Sequence, residues 1–332
     1  MTAAADWPWR LCVAPMLDWT DRHCRVFHRA LTRRARLYTE MLTTGALLHG
    51  DARRLLDFDP VERPLALQLG GSQPAELARC AWLGEQRGYD EINLNCGCPS
   101  ERVQRGAFGA CLMAEPRLVA DCYKAMRDRV TIAVTIKHRI GIDRGDDYGF
   151  VRDFVGTLFD AGCRVFIVHA RNAWLQGLSP KENRELPPLR YERVAQLKAD
   201  FPAAGFVLNG GLQSLAQASR ELARVDGAMI GRAAYHDPYL LAEVDARLFA
   251  DPAPAPSREQ VVAAMSAYLA RAAALGTPPR ALLRHMLGLY RGQRGGRLWR
   301  RLLSDPAFVA REGVEALRAA QAARRQAPAI AA

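Results

Sequence analysis

The chain has 332 residues, of which 49% are hydrophobic and 24% charged, a composition typical of globular proteins that excludes a disordered chain. No apolar run approaches the roughly 18 residues of a membrane span, and the first residues, MTAAADWPWR, lack the features of a signal peptide, so we expect a cytoplasmic protein. The net charge of +11 favours a polyanionic partner such as nucleic acid, although a basic surface that serves only solubility gives the same charge.

Eight short apolar runs, punctuated by glycine, proline or asparagine, follow one another along the chain. They lie at 11–17, 37–42, 65–70, 91–97, 131–139, 165–170, 206–211 and 227–233. Segments with helical periodicity separate most of them, at 74–88, 116–128, 148–162 and 191–201. Buried strands that alternate with helices predict an α/β fold, the (β/α)₈ TIM barrel, over residues 1–249. A doubly wound open sheet is the alternative.

The pattern changes at DPAPAPS (251–257), where proline at alternate positions prevents a helix and favours an extended linker. We therefore predict a linker at 250–257. The segments that follow are all helix-like, at 258–276, 278–292, 296–305 and 306–325. They predict a small C-terminal all-helical domain over residues 258–325, followed by a disordered tail at 326–332.

The chain has eight cysteines, and in a reducing compartment they are not expected to form disulfides. Two of them, Cys96 and Cys98, stand one residue apart in NLNCGCPS (93–100). This spacing is too short for a zinc half-site, and no second pair of ligands is present, so we predict no metal. Their role has to be sought in another chemistry.

Glycines end the last two predicted strands. Gly210 and Gly211 let backbone amides approach an anion, Ser214 can begin the next helix, and Gly231 with Arg232 adds a second cradle with a fixed cation. A single glycine pair is more often a turn than a site. Two such elements on consecutive strands predict the phosphate site that barrels build after strands seven and eight.

Polar side chains end the middle strands. Gln68, Asn95, Lys137 and His169 should converge at one end of the barrel, where they suit a redox ring that gains negative charge. Flavin mononucleotide (FMN) combines one such ring with one phosphate. In the alternative interpretation, Lys137 pairs with an acidic side chain and His169 is structural.

Arginines dominate residues 281–301, where no acidic residue occurs. This composition is typical of phosphate binding, although a solvated helix face gives the same pattern. Arg294, Arg297 and Arg301 would share a face if the stretch is helical. The loop at 172–189 is long and should overhang the barrel mouth with Lys181 and Arg184.

Several motifs together resemble the tRNA-dihydrouridine synthases, specifically the A subfamily, over nearly the whole chain. They are APMLDWTDRHCR (14–25), LYTEMLTTGA (37–46), LQLGGS (67–72), GYDEINLNCGCPS (88–100), GACLM (109–113), HAR (169–171), GLSPKENRE (177–185), NGG (209–211) and GR (231–232). The resemblance implies an FMN-binding TIM-barrel catalytic domain and a helical tRNA-binding domain. It also implies that NADPH reduces the flavin, which then reduces uridines of the tRNA D-loop, at positions 20 and 20a.

The resemblance also implies site residues. Cys98 would be the proton donor. The flavin contacts would be Pro15, Met16, Leu17, Gln68, Lys137, His169, Asn209, Gly210, Gly211, Gly231 and Arg232. The tRNA contacts would be Asn95, Lys181, Arg184, Arg297 and Arg300. No obligate protein partner is inferred.

A thiol suits this reaction. Hydride delivery to carbon 6 of uracil leaves an enolate-like charge, and carbon 5 then needs a proton, which a largely protonated cysteine can supply. Gly97 lets the backbone turn and Pro99 restricts it, which would aim Cys98 at the ring. Cys96 is predicted to be packing.

Two other functions remain compatible with a basic barrel of this kind. One is an FMN-dependent oxidoreductase acting on a small pyrimidine, of the dihydroorotate dehydrogenase type, which would not need the basic helical region. The other is a non-catalytic RNA-binding barrel, which would not need a flavin.

Overall fold

The computed structural model describes residues 6–145 and 147–327. Eight parallel strands run through these residues, and neighbouring strands in the sheet follow the order β1-β8-β7-β6-β5-β4-β3-β2. The strands are Leu11–Val13 (β1), Leu37–Thr43 (β2), Leu65–Gly70 (β3), Glu91–Cys96 (β4), Ala133–Arg139 (β5), Val165–His169 (β6), Gly205–Asn209 (β7) and Gly227–Ile230 (β8).

The sheet closes between its two end strands. Cys12 in β1 forms a parallel bridge with Arg36, directly before β2. Val13 N donates to Arg36 O at 2.9 Å, and Arg36 N donates to Leu11 O at 3.0 Å. The predicted TIM barrel is confirmed, and the doubly wound alternative is wrong because an open sheet has no such closing ladder.

Helices surround the barrel and continue beyond it. Those of the first 250 residues are Arg22–Arg29 (α1), Thr44–His49 (α2), Ala52–Leu55 (α3), Pro74–Arg87 (α4), Glu101–Arg105 (α5), Pro116–Arg127 (α6), Tyr148–Asp160 (α7), Tyr191–Asp200 (α8), Leu215–Glu221 (α9), Arg232–His236 (α10) and Val244–Leu248 (α11). Those that follow are Arg258–Ala274 (α12), Pro279–Leu283 (α13), Gly296–Ser304 (α14), Pro306–Glu312 (α15) and Ala316–Gln326 (α16). Short 3₁₀ turns lie at Pro60–Glu62, Gly109–Ala114, Glu182–Arg184, Pro238–Glu243 and Gly313–Glu315.

Strand side chains alternate between the barrel interior and the surrounding helices. The outward set joins the main core with the helices, and the inward set forms a separate buried cluster. That inner cluster consists of Cys12, Ala14, Tyr38, Ala66, Ile167, Val207 and Met229. Trp7 and Trp9 pack beneath it, so the amino end of the barrel is filled by side chains.

The C-terminal helices share the core of the barrel helices. Trp299 in α14 is fully buried and its indole N–H donates to Met286 O at 2.9 Å. His285 Nε2 lies 3.0 Å from Asp21 Oδ2, at the start of α1. The contact between His285 and Asp21 joins the helical region to the end of the loop that follows β1.

Residues 250–257 contain neither helix nor strand, as the prolines predict. The division into a domain at 1–249 and a domain at 258–325 stays a prediction. The predicted tail begins at Gln326, which is still helical, and its last residues, 328–332, lie outside the described residues. Within the described chain, we find no helix both long and apolar enough to cross a membrane.

Three predicted boundaries need correction. The run 11–17 is a strand only to Val13 because Pro15 cannot continue a ladder, and the run 227–233 ends as a strand at Ile230. The helix predicted at 306–325 is two helices, separated at Gly313, which has a φ of 54°.

The helix predicted at 278–292 is wrong beyond Leu283. The chain continues there in turns with i to i+3 hydrogen bonds, for example from Leu289 N to Met286 O at 3.1 Å. Gly288 packs against backbone, and a Cβ at this position would lie 2.6 Å from His236 O. Arg294 consequently lies outside α14 and donates to Ala327 O, so it does not share a helix face with Arg297.

Candidate active site

The carboxyl ends of five strands bring polar side chains to the barrel mouth. Asn95 in β4 is in register with Lys137 in β5, and His169 in β6 is in register with Asn209 in β7. Gln68 in β3 bonds to Asn95 across the interior, with 2.9 Å between Asn95 Nδ2 and Gln68 Oε1. The structure therefore groups the side chains that strand position alone predicted.

A hydrogen-bonded ladder continues from Gln68 towards the amino end of the barrel. Gln68 Nε2 donates to Asn93 Oδ1 at 2.7 Å, and Asn93 Nδ2 donates to Thr135 Oγ1 at 2.8 Å. The Thr135 hydroxyl donates in turn to Glu91. Because a carboxylate only accepts, Glu91 sets the direction of every bond in the ladder. Asn95 must therefore present its amide N–H to Gln68 and its oxygen to the loop above.

The loop that carries Cys98 is built on that oxygen. Asn95 Oδ1 accepts from Gly97 N at 3.1 Å and from Cys98 N at 3.0 Å. Cys98 is partly buried, and its sulfur lies 3.6 Å from Ser100 Oγ. Asn95, predicted to contact tRNA, is thus first of all the residue that shapes this loop, and its contact with RNA stays a prediction.

Cys96 differs from Cys98 in its burial and in its surroundings. It is fully buried among the outward side chains of β4, where burial raises the pKa of its thiol well above the usual value. The structure confirms the prediction that Cys96 packs. Cys98 alone of the pair reaches the mouth.

Two neighbouring groups at the mouth, Lys137 and His169, have lowered pKa values. Burial, aided by the positive charge of Arg139, lowers the pKa of Lys137 to about 8. Burial and the charges of Arg139 and Lys137 hold the pKa of His169 well below its ordinary value, so the imidazole is neutral at pH 7. Within the described chain no acidic side chain pairs with Lys137, and the structure offers no support for the alternative that it forms an ion pair.

The glycines after β7 let neighbouring side chains pack more closely than a Cβ would allow. Gly210 and Gly211 have φ values of 112° and 67°, which favour glycine. A Cβ at Gly210 would lie 2.7 Å from the His169 ring. A Cβ at Gly231 would lie 3.7 Å from Met16 Sδ, so the loops after β1 and β8 adjoin.

The remaining predicted flavin contacts vary in exposure. Asn209 donates from Nδ2 to Met229 O at 2.9 Å. Pro15 and Met16 are partly buried, whereas Leu17 is 71% exposed. Arg232 begins α10, and its guanidinium pairs with Glu185. An anion bound at the glycines after β7 and β8 would therefore have to share Arg232 with Glu185 or displace that carboxylate.

These residues fit FMN on their own chemistry. The mouth holds a lysine that has no counter-ion among the described residues, a neutral imidazole, and glycines directly after β7 and β8. A phosphate, and a ring that becomes anionic on reduction, would supply the missing negative charge. The described residues offer no group of three or more His, Cys, Asp or Glu side chains placed to hold a metal ion.

Apart from Asn95, which is buried in β4, the predicted RNA contacts lie on two exposed elements. Lys181 and Arg184 are exposed on the loop at 172–189, and Arg297 and Arg300 are exposed on α14. In α10, burial and then the charges of Arg291, Arg232 and Arg300 lower the pKa of His236, and Arg232 donates to Arg184 O at 3.4 Å, so this helix adjoins both α14 and the loop. The loop and α14 thus flank one basic face beside the mouth.

The sequence pattern did not reveal two sets of site residues. The sequence pattern predicts Arg139 only as the last residue of a strand, yet this residue bonds to two loops. The ladder residues Asn93 and Thr135 were also missed. The alternation in Glu91–Cys96, with polar residues at every second position, was the available signal, because it places the polar side chains inside the barrel.

Comparison with known proteins agrees with this geometry. The family model described as "Dihydrouridine synthase (Dus)" matches residues 12–327. A Pseudomonas putida protein named tRNA-dihydrouridine(20/20a) synthase is 58% identical over 303 residues, which cover 91% of this chain and 90% of that protein. Proteins of the same name from Pseudomonas aeruginosa (58% identity, covering 93% of this chain and 95% of the other) and Vibrio parahaemolyticus (55%, covering 94% and 96%) are similarly related. The chain belongs to the dihydrouridine synthase family.

Proposed function

We propose that this protein reduces the carbon 5 to carbon 6 double bond of uridines 20 and 20a in the D-loop of tRNA to 5,6-dihydrouridine, with NADPH as reductant. Its membership of the family and the names of its relatives support the reaction class. The observation that carries the proposal is the convergence of Cys98, Asn95, Lys137 and His169 at one barrel mouth. We place the reaction in the cytoplasm.

FMN is the proposed cofactor, and when bound it supplies the hydride equivalent that NADPH provides. Its contacts would come from the loop after β1, from the strand ends and from the glycine cradle. They are Pro15, Met16, Leu17, Gln68, Lys137, His169, Asn209, Gly210, Gly211, Gly231 and Arg232. A negative charge beside Lys137 would restore the ammonium that burial disfavours.

Cys98 acts as the proton donor. Its Sγ–H bond breaks as a carbon 5–H bond forms, while carbon 6 receives the hydride, so the base gains two electrons and two hydrogens. The thiolate that remains regains a proton from solvent. A positioned acid of this kind contributes about 10²- to 10⁴-fold to a rate.

The basic face beside the mouth binds the RNA. A uridine in folded tRNA must leave its stack to reach the mouth, which costs a few kcal/mol. Phosphate contacts from Lys181, Arg184, Arg297 and Arg300, with Asn95 beneath the base, would offset that cost. A small pyrimidine substrate needs no such face, so the small-substrate alternative has no observation in its favour.

The test is reconstitution. The purified protein should be yellow or become so with FMN, oxidise NADPH, and form dihydrouridine at positions 20 and 20a of tRNA transcripts and of tRNA from cells that lack the protein. A colourless protein that cannot be loaded with flavin, or normal dihydrouridine at both positions in the deletion strain, would refute the proposal.

A further inference from the structure

Arg139 is a buried cation that bonds to backbone oxygens of two separate loops. It is 3% exposed. Its Nε donates to Gly97 O at 3.0 Å, and its Nη1 donates to Asn172 O at 3.0 Å and to Asn183 O at 2.9 Å. One planar guanidinium therefore joins segments that are far apart in the chain.

The first of these loops carries the proposed proton donor. Gly97 O belongs to the peptide that precedes Cys98, and the N–H of that same peptide bonds to Asn95 Oδ1. The peptide is thus held on both sides, by Asn95 through its N–H and by Arg139 through its carbonyl. The thiol direction depends on this peptide plane because Cys98 is the next residue.

The second loop carries the proposed RNA contacts Lys181 and Arg184. It is folded around Asn183, which is fully buried and exchanges two hydrogen bonds with the backbone of Trp174, at 2.8 and 2.9 Å. Arg139 bonds to the carbonyl of Asn183, directly before Arg184. A cleft of about 440 Å³ runs between the two loops and is lined by Pro99, Glu101, Leu175 and residues 177–180.

No carboxylate within the described chain pairs with Arg139, and burial lowers its pKa to about 10. Its hydrogen bonds go to carbonyls, and the rigid fork of a guanidinium fixes the direction of its acceptors. Across this junction, Cys98 and Arg184 lie close enough to interact electrostatically.

We propose that Arg139 is a positioning residue for the proton transfer from Cys98. Because its guanidinium binds the carbonyls of both Gly97 and Asn183, Arg139 fixes the distance between the Cys98 thiol and the loop that contacts the RNA. The inference rests on the proposed function and adds a residue to it.

The test separates the two half-reactions in Arg139→Met. A misplacement of about 1 Å costs on the order of 10²-fold in rate, so we expect that loss in single-turnover reduction of tRNA by the pre-reduced enzyme. Flavin reduction by NADPH should not change, and saturating tRNA removes from the comparison any loss of affinity that arises from the loop with Lys181 and Arg184. Arg139→Lys keeps the charge but not the fork and should lose an intermediate amount. Full tRNA turnover per bound flavin in Arg139→Met would overturn the inference.

Arg29 offers a matched control. It is 7% exposed, its guanidinium donates to the carbonyls of Thr32, Ala35, Glu62 and Pro64, and burial lowers its pKa to about 10 as well. It lies at the opposite end of the barrel. Arg29→Met should lose stability to a similar degree but keep tRNA turnover per bound flavin, and an equal loss of turnover in both variants would reduce Arg139 to a structural role.

A double-mutant cycle completes the test. If Arg139 acts through Cys98, then Arg139→Met should add little to the loss already caused by Cys98→Ala, whereas independent effects multiply. A full additional loss in the double variant would contradict the inference. Failure of the unmodified protein to reduce tRNA would instead refute the proposed function, so the two failures are distinguishable.

Discussion

At the amino end of the barrel the buried carboxylate of Glu91 has four partners, whereas at the carboxyl end the ammonium of Lys137 has none among the described residues. Glu91 accepts from Tyr38 Oη at 2.9 Å, from Trp9 Nε1 at 2.7 Å and from Thr135. Arg36 Nη1 lies 3.1 Å from Glu91 Oε2, close enough for an ion pair although not aligned for a hydrogen bond.

At the amino end of the barrel, buried polar groups bond to one another and stabilise the fold. At the carboxyl end, Lys137 remains available to a ligand. A buried charge that is fully paired can be kept in the folded state at little net cost. The unpaired cation and the neutral His169 at the other end cost stability until a ligand arrives. Substitutions at the two ends should therefore separate activity from stability.

The largest effect is expected for Cys98→Ala. The variant should bind flavin and tRNA normally but lose about 10²- to 10⁴-fold in turnover, the contribution of a positioned acid. Single-turnover formation of dihydrouridine measures it. Cys111→Ala, at another partly buried cysteine, is the control and should keep full activity. An undiminished rate in Cys98→Ala would remove the thiol from the mechanism.

For Arg36→Met, at the amino end of the barrel, we expect a loss of stability without a loss of activity. Removing one partner of a buried ion pair leaves Glu91 without its counter-ion and should lower the free energy of unfolding by about 3–5 kcal/mol. Turnover per bound flavin should stay the same. Arg33→Met, at an exposed arginine paired with Asp251, should cost less than about 1 kcal/mol in urea denaturation. Equal losses in the two variants would show that burial of the pair is immaterial.

A smaller effect is expected for the double variant Arg297→Gln and Arg300→Gln. Loss of phosphate contacts should weaken tRNA binding and flatten its dependence on log salt by about 0.9 per contact. NADPH-driven flavin reduction should not change. The matched control, Arg220→Gln with Arg224→Gln, removes two exposed arginines near α9. A salt slope equal to that of the unmodified protein would exclude α14 from the RNA surface.

The smallest effect concerns pH. The pKa of Lys137 is about 8 in the folded chain, below its ordinary value of 10.5, so between these pH values the unfolded chain binds more protons and stability rises with pH. Flavin-free protein should therefore gain stability over this range relative to Lys137→Met. FMN should diminish the rise because an anion raises the pKa of the lysine. Parallel stability curves for the two proteins, measured by urea unfolding, would contradict this account.

Local patterns in the sequence were sufficient to predict the strands, the barrel and the grouping of polar side chains at its mouth. Residue types at strand ends, such as Lys137, His169 and the glycines at 210 and 211, are informative because parallel strands of a barrel end at one mouth. The end of β1 at Val13 follows from the nearby Pro15, whereas the turns after Leu283 were not predictable from periodicity. Those turns depend on tertiary contact, such as the backbone that packs against Gly288.

The alternation of strands and helices, the end of the barrel where polar side chains converge, and Cys98 as the proposed proton donor could therefore all be inferred from the residues in chain order. How the Cys98 thiol is held depends on the tertiary structure. Arg139 and Gly97 are 42 residues apart, and Arg139 and Asn183 are 44 apart, so no local pattern encodes these bonds. They exist because strand register brings β4, β5 and the loop after β6 together, and side-chain direction within the barrel follows from that register.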